Sequence, residues 1–278
     1  MTADGVEITP FFLAGEPGPL FCIHFHPFHE RVRGRILYLH PFAEEMHKSR
    51  RMAALQARRL AAVGYAVLQL DLTGCGDSWG DFGDARWSGW VQDATRALQW
   101  LDAAHSDPPL LLWGLRLGAT LALNLAAGVP EVDGVILWQP VTHGERFLNQ
   151  FLRIKLASEM LTEGRARTRT RALRERLKAG ESVEVGGYRL AAELAESIGT
   201  LQLGQIPPPR RVVWTDIVAD SRTPPSPASE RVMRNWLEQG CQLHSSRVTG
   251  EPFWITQEIT ECPALLEVTL DGVGWLLR

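Results

Sequence analysis

Apolar runs of strand length alternate with segments of helical periodicity along most of this chain. RILYLHP (35–41) reads as a buried strand, and residues 44–63 as a helix that stops at Gly64. YAVLQLDL (65–72) is the next strand. Residues 85–105 form a helix with Trp87, Trp90, Val91, Leu98 and Leu101 near one face. LLLW (110–113), a helix over 116–127 and VDGVILW (132–138) continue the alternation. RRVVWT (210–215) and CQLHSSRV (241–248) are two more strands, separated by a helix near 227–239. Such alternation predicts an α/β fold: a mostly parallel sheet with helices on both faces. ITPFFLA and PLFCIHFHP have no helix between them and predict an antiparallel lead-in hairpin.

Residues 143–200 break the pattern. They are mostly helical, with a possible small hairpin at 181–190 and a basic run, RARTRTRALRERLK (165–178), of seven Arg/Lys against one Glu. The expected organisation is a core of 1–142 and 201–278, with 143–200 inserted as a helical lid over the sheet's C-terminal edge, where open α/β sheets bind ligands. The basic run reads first as a solvated helix face. A lid that attracts an acidic partner is the sharper alternative.

The remaining composition narrows the function classes. A chain of 278 residues is ample for one large α/β core, and a net charge of −3 argues against a nucleic-acid partner. Cys22, Cys75, Cys241 and Cys262 are scattered, as expected of reduced, buried thiols. The first residues carry early acids and no long apolar run, and no stretch reaches the roughly 18 apolar residues of a membrane span. A cytoplasmic protein is expected.

Three motifs carry the chemistry. LYLHPFAEE (37–45) is a strand ending in His-Pro-Phe. QLDLTGCGDS (69–78) is a D-x-x-G-x-G-x-S turn whose glycines permit positive φ. LLLWGLRLGATLAL encloses G-L-R-L-G (114–118) between a strand and a helix. In this order they resemble the α/β-hydrolase superfamily, from about residue 20 to 250. The stretch from HPFAEEMHKSRR to DARWSGW further resembles the exosortase A system-associated hydrolases 2. That resemblance implies the α/β-hydrolase fold and a bacterial exopolysaccharide and protein-sorting setting. It does not imply a demonstrated reaction.

The resemblance exposes a conflict. The superfamily's elbow is G-x-S-x-G with the serine as nucleophile, and here the middle residue is Arg116. A guanidinium has no lone pair with which to attack a carbonyl. An acid is available in Asp216 or Asp220, expected in the loop after RVVWT. No histidine follows the last strand, and His244 lies within that strand, too early for a base. Cys75 reads as a structural small residue. His24, His26 and His29 form H-x-H-x-x-H, in which His24 and His26 share a strand face. That shared face makes a metal site geometrically conceivable, but surface histidines at a hairpin edge are the commoner outcome and the expectation, with no metal and no cofactor.

An arginine at a helix start adds a full charge to an end already attractive to anions. Glu44 and Glu45 are its candidate internal partners, and the amides of Phe42 and Leu117 would converge beside it as an oxyanion hole. His40, Phe42, Leu117 and Asp77 are therefore expected around a ligand, with Arg116, Glu44, Glu45 and Asp216 as the chemical groups. Two functions follow. One is a non-catalytic hydrolase-fold protein that binds a small anionic or acylated molecule, or a protein of the polysaccharide-export system. The other is an ester hydrolase or acyltransferase in which Glu44, Glu45 or Asp77 acts as general base and Arg116 as electrophile.

Overall fold

The computed structural model describes residues 6–28, 31–163, 169–220 and 222–278. The lead-in hairpin is β1 (Val6–Leu13) and β2 (Leu20–Pro27). The alternating part runs β3 (Gly34–Leu39), α1 (Glu44–Ala62), β4 (Tyr65–Leu70), α2 (Trp87–Ala104), β5 (Leu110–Leu115), α3 (Leu117–Ala126) and β6 (Val132–Trp138). The inserted segment holds α4 (Gly144–Glu163), α5 (Thr170–Lys178), the short strands β7 (Val183–Val185) and β8 (Tyr188–Leu190), and α6 (Ala192–Thr200). The chain closes with β9 (Arg211–Val218), α7 (Pro227–Glu238), β10 (Gln242–Thr249) and α8 (Pro263–Leu276). Residues 165–168 of the basic run and His29 lie outside the described residues.

Eight strands form one sheet in the order β1-β2-β4-β3-β5-β6-β9-β10. From β4 to β10 every neighbouring pair is parallel, and β2 joins β4 antiparallel. The central strand β5, LLLWGL, is buried at every position, which is why it reads as an unbroken apolar run rather than an alternation. Its even residues enter a core shared with α2, α3, α7 and the inserted segment; Leu111, Trp113 and Leu115 enter a second core under α1 and α8. The hairpin, the alternating order and the small β7–β8 hairpin agree with the sequence reading.

The sequence reading ended at the last strand and missed α8. This helix covers the second core through Leu265, Leu266, Val273 and Leu276. It is pinned by one buried polar contact: the Trp138 indole N–H donates to Thr269 Oγ1 at 2.9 Å, and that hydroxyl donates to the Leu265 carbonyl at 2.7 Å. A second difference concerns Asp216, which lies within β9, opposite Arg247 of β10, and not in the following loop. Strand β9 extends three residues beyond the apolar run RVVWT because parallel pairing with the edge strand β10 continues there.

Replacing Thr269 by Val removes the acceptor and strands the Trp138 N–H in the core. Thr269→Val is expected to lower unfolding free energy by about 1–3 kcal/mol. Urea unfolding measures it; an unchanged midpoint would mean that α8 is held by apolar packing alone.

Candidate functional site

The G-L-R-L-G pentapeptide forms a strained elbow between β5 and α3. Arg116 is the N-cap of α3 with φ 56° and ψ −118°, a conformation a non-glycine residue adopts only when its surroundings enforce it. The enforcing contacts are visible. Its amide donates to the Trp138 carbonyl at 2.9 Å, and its carbonyl accepts from Ala119 at 3.1 Å. A Cβ at Gly114 would overlap the Gly118 carbonyl and Ala119, and one at Gly118 would overlap the carbonyls of Leu39 and His40. Both glycines are therefore steric requirements, and the second seats the start of α3 against the loop that follows β3.

Two more residues with positive φ border the same edge. Ala43, the N-cap of α1, has φ 50° and ψ −127°; Gln139, just after β6, has φ 44°. Gln139 accepts from the Ile217 amide at 2.6 Å through Oε1 and donates its own amide to Thr215 O, tying β6 to β9. These three are all the non-glycine residues of positive φ among those described. Each costs on the order of 1–3 kcal/mol, and such strain concentrates at sites built for ligands or catalysis.

Arg116 is enclosed by its neighbours. Its Nε donates to Glu45 Oε1 at 3.2 Å, with the two side chains 18% and 15% exposed. The guanidinium lies over the ring of Trp254 at 5.4 Å and that of Phe147 at 5.7 Å. Trp254 comes from the loop after β10, the stretch in which a triad histidine would stand; Phe147 comes from α4. Glu45 Oε2 is buried and has no hydrogen-bond partner. Burial raises the Glu45 pKa above its ordinary value, and the charge and hydrogen bond of Arg116 oppose that rise. Among the described residues, neither the Phe42 nor the Leu117 amide has a hydrogen-bond acceptor.

The other expected site residues are placed differently. Glu44 is exposed and accepts from the Tyr188 hydroxyl at 3.3 Å, facing the inserted hairpin rather than Arg116. His40 is buried with both ring nitrogens engaged: Nε2 accepts from the Leu72 amide at 3.2 Å and Nδ1 meets the Pro41 carbonyl at 2.7 Å. Its role is to tie two loops together, and burial lowers its pKa. Phe42 packs edge-on against Phe82, Trp90, Phe147 and Phe151, joining the core to the insertion. Asp77 is exposed in the glycine turn, its amide donating to Asp71 Oδ2, and it makes no described contact with Arg116.

Asp216 accepts from the Trp214 indole at 2.8 Å, and burial raises its pKa. Asp220 pairs with Arg222 at 2.9 Å. His244 is exposed on β10, 5.5 Å from the Trp275 ring. Cys75 is buried, its thiol pKa pushed up by burial and by Asp71 and Asp93, which disfavours the thiolate. Gly74 and Gly76 do take positive φ, 76° and 57°, as their turn requires. The described part of the basic run is largely neutralised by neighbours, with Arg174 on Glu145, Arg176 on Glu181 and Lys178 on Glu175. Sequence reasoning missed Phe147, Trp254 and Gln139, since nothing local marks a packing residue as part of a site.

Replacing Arg116 with Met keeps the apolar stem and removes the charge. Glu45 then loses the group that opposes its desolvation, and its folded pKa climbs further above 4.5. A raised carboxyl pKa gives stability that is full below the unfolded value and lost as pH rises through the folded one. Arg116→Met should therefore be roughly 2–4 kcal/mol less stable than wild type at pH 7, a gap that narrows toward pH 4.5. Urea titrations across that range measure it, and a gap independent of pH would contradict the buried pairing.

Comparison with known proteins places the fold. The Xenopus tropicalis lysophosphatidylserine lipase ABHD12 is 34% identical over 112 residues, 39% of this chain and 28% of that protein. Human protein ABHD12B is 34% identical over the same length and is covered for 30%. The chain thus spans less than a third of these curated relatives. Among solved structures, ferulic acid-bound Est1E from Butyrivibrio proteoclasticus has a TM-score of 0.70 at 13% identity, covering 95% of this chain and 99% of that one. A thermostable carboxyl esterase from Bacillus coagulans has a TM-score of 0.66 at 13% identity, covering 99% of both chains. These two share the α/β-hydrolase fold with it. The family model described as serine aminopeptidase, S33, matches residues 30–187, more than half of the chain, and the chain belongs to that family of the α/β-hydrolase superfamily.

Proposed function

We propose that this chain is a non-catalytic member of its family: a binding protein whose elbow presents Arg116 to an anionic, acylated small molecule. The observation that carries this reading is the occupant of the elbow. A cation stands where the nucleophile would be, paired with Glu45 and covered by Trp254 and Phe147. No hydroxyl and no imidazole among the described residues meets there, so neither acyl transfer to the protein nor its general-base activation has its groups. The unpaired amides of Phe42 and Leu117 remain as anion receptors beside the guanidinium. A carboxylate or phosphate would exchange with Glu45 for the arginine, and an acyl chain would lie against the aromatic cover. The lysophosphatidylserine lipases among the relatives support a ligand with an acyl chain and an anionic head.

The inserted segment 143–200 acts in this account as the lid, since Phe147 and Phe151 reach the Phe42 loop. The setting in which the protein works is the bacterial exopolysaccharide context that its resemblance implies. The expectation of no membrane span agrees with the helices described, none of which is long and apolar enough to cross a membrane.

A second reading has one observation in its favour. Glu45 Oε2 is buried without a partner, and its carboxyl has a raised pKa, as a general base near an electrophilic arginine would. The two readings part in one experiment. Purified protein is tested on short acyl esters, thioesters, acetylated sugars and lysophosphatidylserine, beside Arg116→Ala and Glu45→Gln. The expected result is no turnover above the variants, with binding of lysophosphatidylserine weakened about tenfold or more by Arg116→Ala, the loss of one charge-assisted contact. Turnover abolished by both variants would establish the carboxylate–arginine hydrolase instead.

A further inference from the structure

Three histidines from two parts of the chain meet at the opposite end of the sheet from the elbow. His24 and His26 point to one face of β2, as their spacing requires, and His105 follows the last turn of α2. β2 is the second strand of the sheet, covered by β1, so these are not histidines of a hairpin edge. All three are half-buried, and each offers a ring nitrogen within 4.8 Å of the other two. The rings of His26 and His105 stack at 5.3 Å, and that of His24 stands 5.4 Å and 5.3 Å from them.

We propose that His24, His26 and His105 bind one divalent transition-metal ion of the zinc class, with water completing a tetrahedral set. Bond lengths of about 2.0–2.1 Å at tetrahedral angles place two ligand nitrogens roughly 3.3–3.4 Å apart. His24 Nε2 and His105 Nε2 are 3.2 Å apart without any adjustment. His26 Nδ1 is buried and has no hydrogen-bond partner, a lone pair or N–H that the protein leaves unused. Imidazole nitrogens select zinc, copper, nickel or cobalt over calcium and magnesium, which require oxygen.

The surroundings carry charge of both signs. Arg31, Arg33 and Arg278 line the cleft that His105 borders, while Arg35 is neutralised by Asp102 and donates to the His105 carbonyl at 2.7 Å, which fixes the chain beside the third ligand. Glu7 stands directly opposite His26 in β1, so a carboxylate borders the cluster on the same face. The Trp100 ring meets His24 edge-on at 5.1 Å and walls one side. A metal here would staple β2 to the end of α2.

The test uses the full chain, stripped with chelator and titrated with Zn²⁺ and with Co²⁺. One ion per chain is expected, with the visible absorption of tetrahedral cobalt and a melting temperature raised by roughly 5 °C at a hundredfold excess over Kd. His24→Ala and His105→Gln should each weaken binding at least about tenfold, and His244→Ala should leave it unchanged. Equal affinity in His24→Ala, or the same loss in His244→Ala, would overturn the site and leave only a hydrogen bond between His24 and His105. Should either variant fail to fold, zinc X-ray absorption on the wild-type chain decides: three imidazole ligands support the proposal, and fewer refute it.

Discussion

A guanidinium at the apex of a strand–turn–helix must be neutralised by groups within its own reach, because burying it alone would cost several kcal/mol. Arg116 meets that constraint through Glu45 on α1 and the ring faces of Trp254 and Phe147. These partners come from three different parts of the chain: the helix after β3, the loop after β10 and the first helix of the insertion. One charge therefore gathers the upper edge of the sheet around itself. The aromatic cover does for this protein what solvent and substrate do in an open hydrolase site. It surrounds the apex and leaves the side chains there mostly out of water.

The backbone is arranged as though the apex still mattered. Gly114 and Gly118 remain where a Cβ would collide, and Arg116, Ala43 and Gln139 hold strained conformations around one another. Strain of this kind is retained when packing over-determines it. The elbow, the neighbouring loop and its amides thus form a rigid frame with a cation at its centre. Under the proposed binding role, the same frame would present its backbone donors to an anion. Phe42 packs against Phe82 and Trp90 of the core and couples this frame to the insertion through two aromatic contacts, Phe147 and Phe151 of α4, so the elbow frame and the placement of α4 are mechanically linked.

Much of this was legible in the sequence. The parallel α/β order and the lead-in hairpin followed from periodicity, the elbow from its resemblance to the α/β-hydrolase pattern, and the pairing of Arg116 with Glu44 or Glu45 from the need to neutralise a cation. Choosing between the two glutamates required the geometry of α1, whose first turn sends Glu44 to Tyr188 and Glu45 to the arginine. Trp254 and Phe147 were not legible, because aromatic residues in loops and helix faces look alike whether they pack on a leucine or a guanidinium. His40 was drawn to the site by its motif, but its nitrogens serve the Leu72 and Pro41 backbone. His105 could not be joined to His24 and His26 from sequence, since 79 residues separate it from the nearer one and only the sheet order brings them together.

The central claim is that the elbow holds a cation in place of an activated nucleophile. Exposure to a fluorophosphonate followed by intact-mass measurement tests it most directly, because such reagents are captured by a serine or cysteine that a base has activated beside an oxyanion hole. The account predicts a chain of unchanged mass, at an exposure that fully labels an active serine hydrolase run alongside. A single stoichiometric adduct, mapped to a residue of the glycine turn or the elbow, would contradict it.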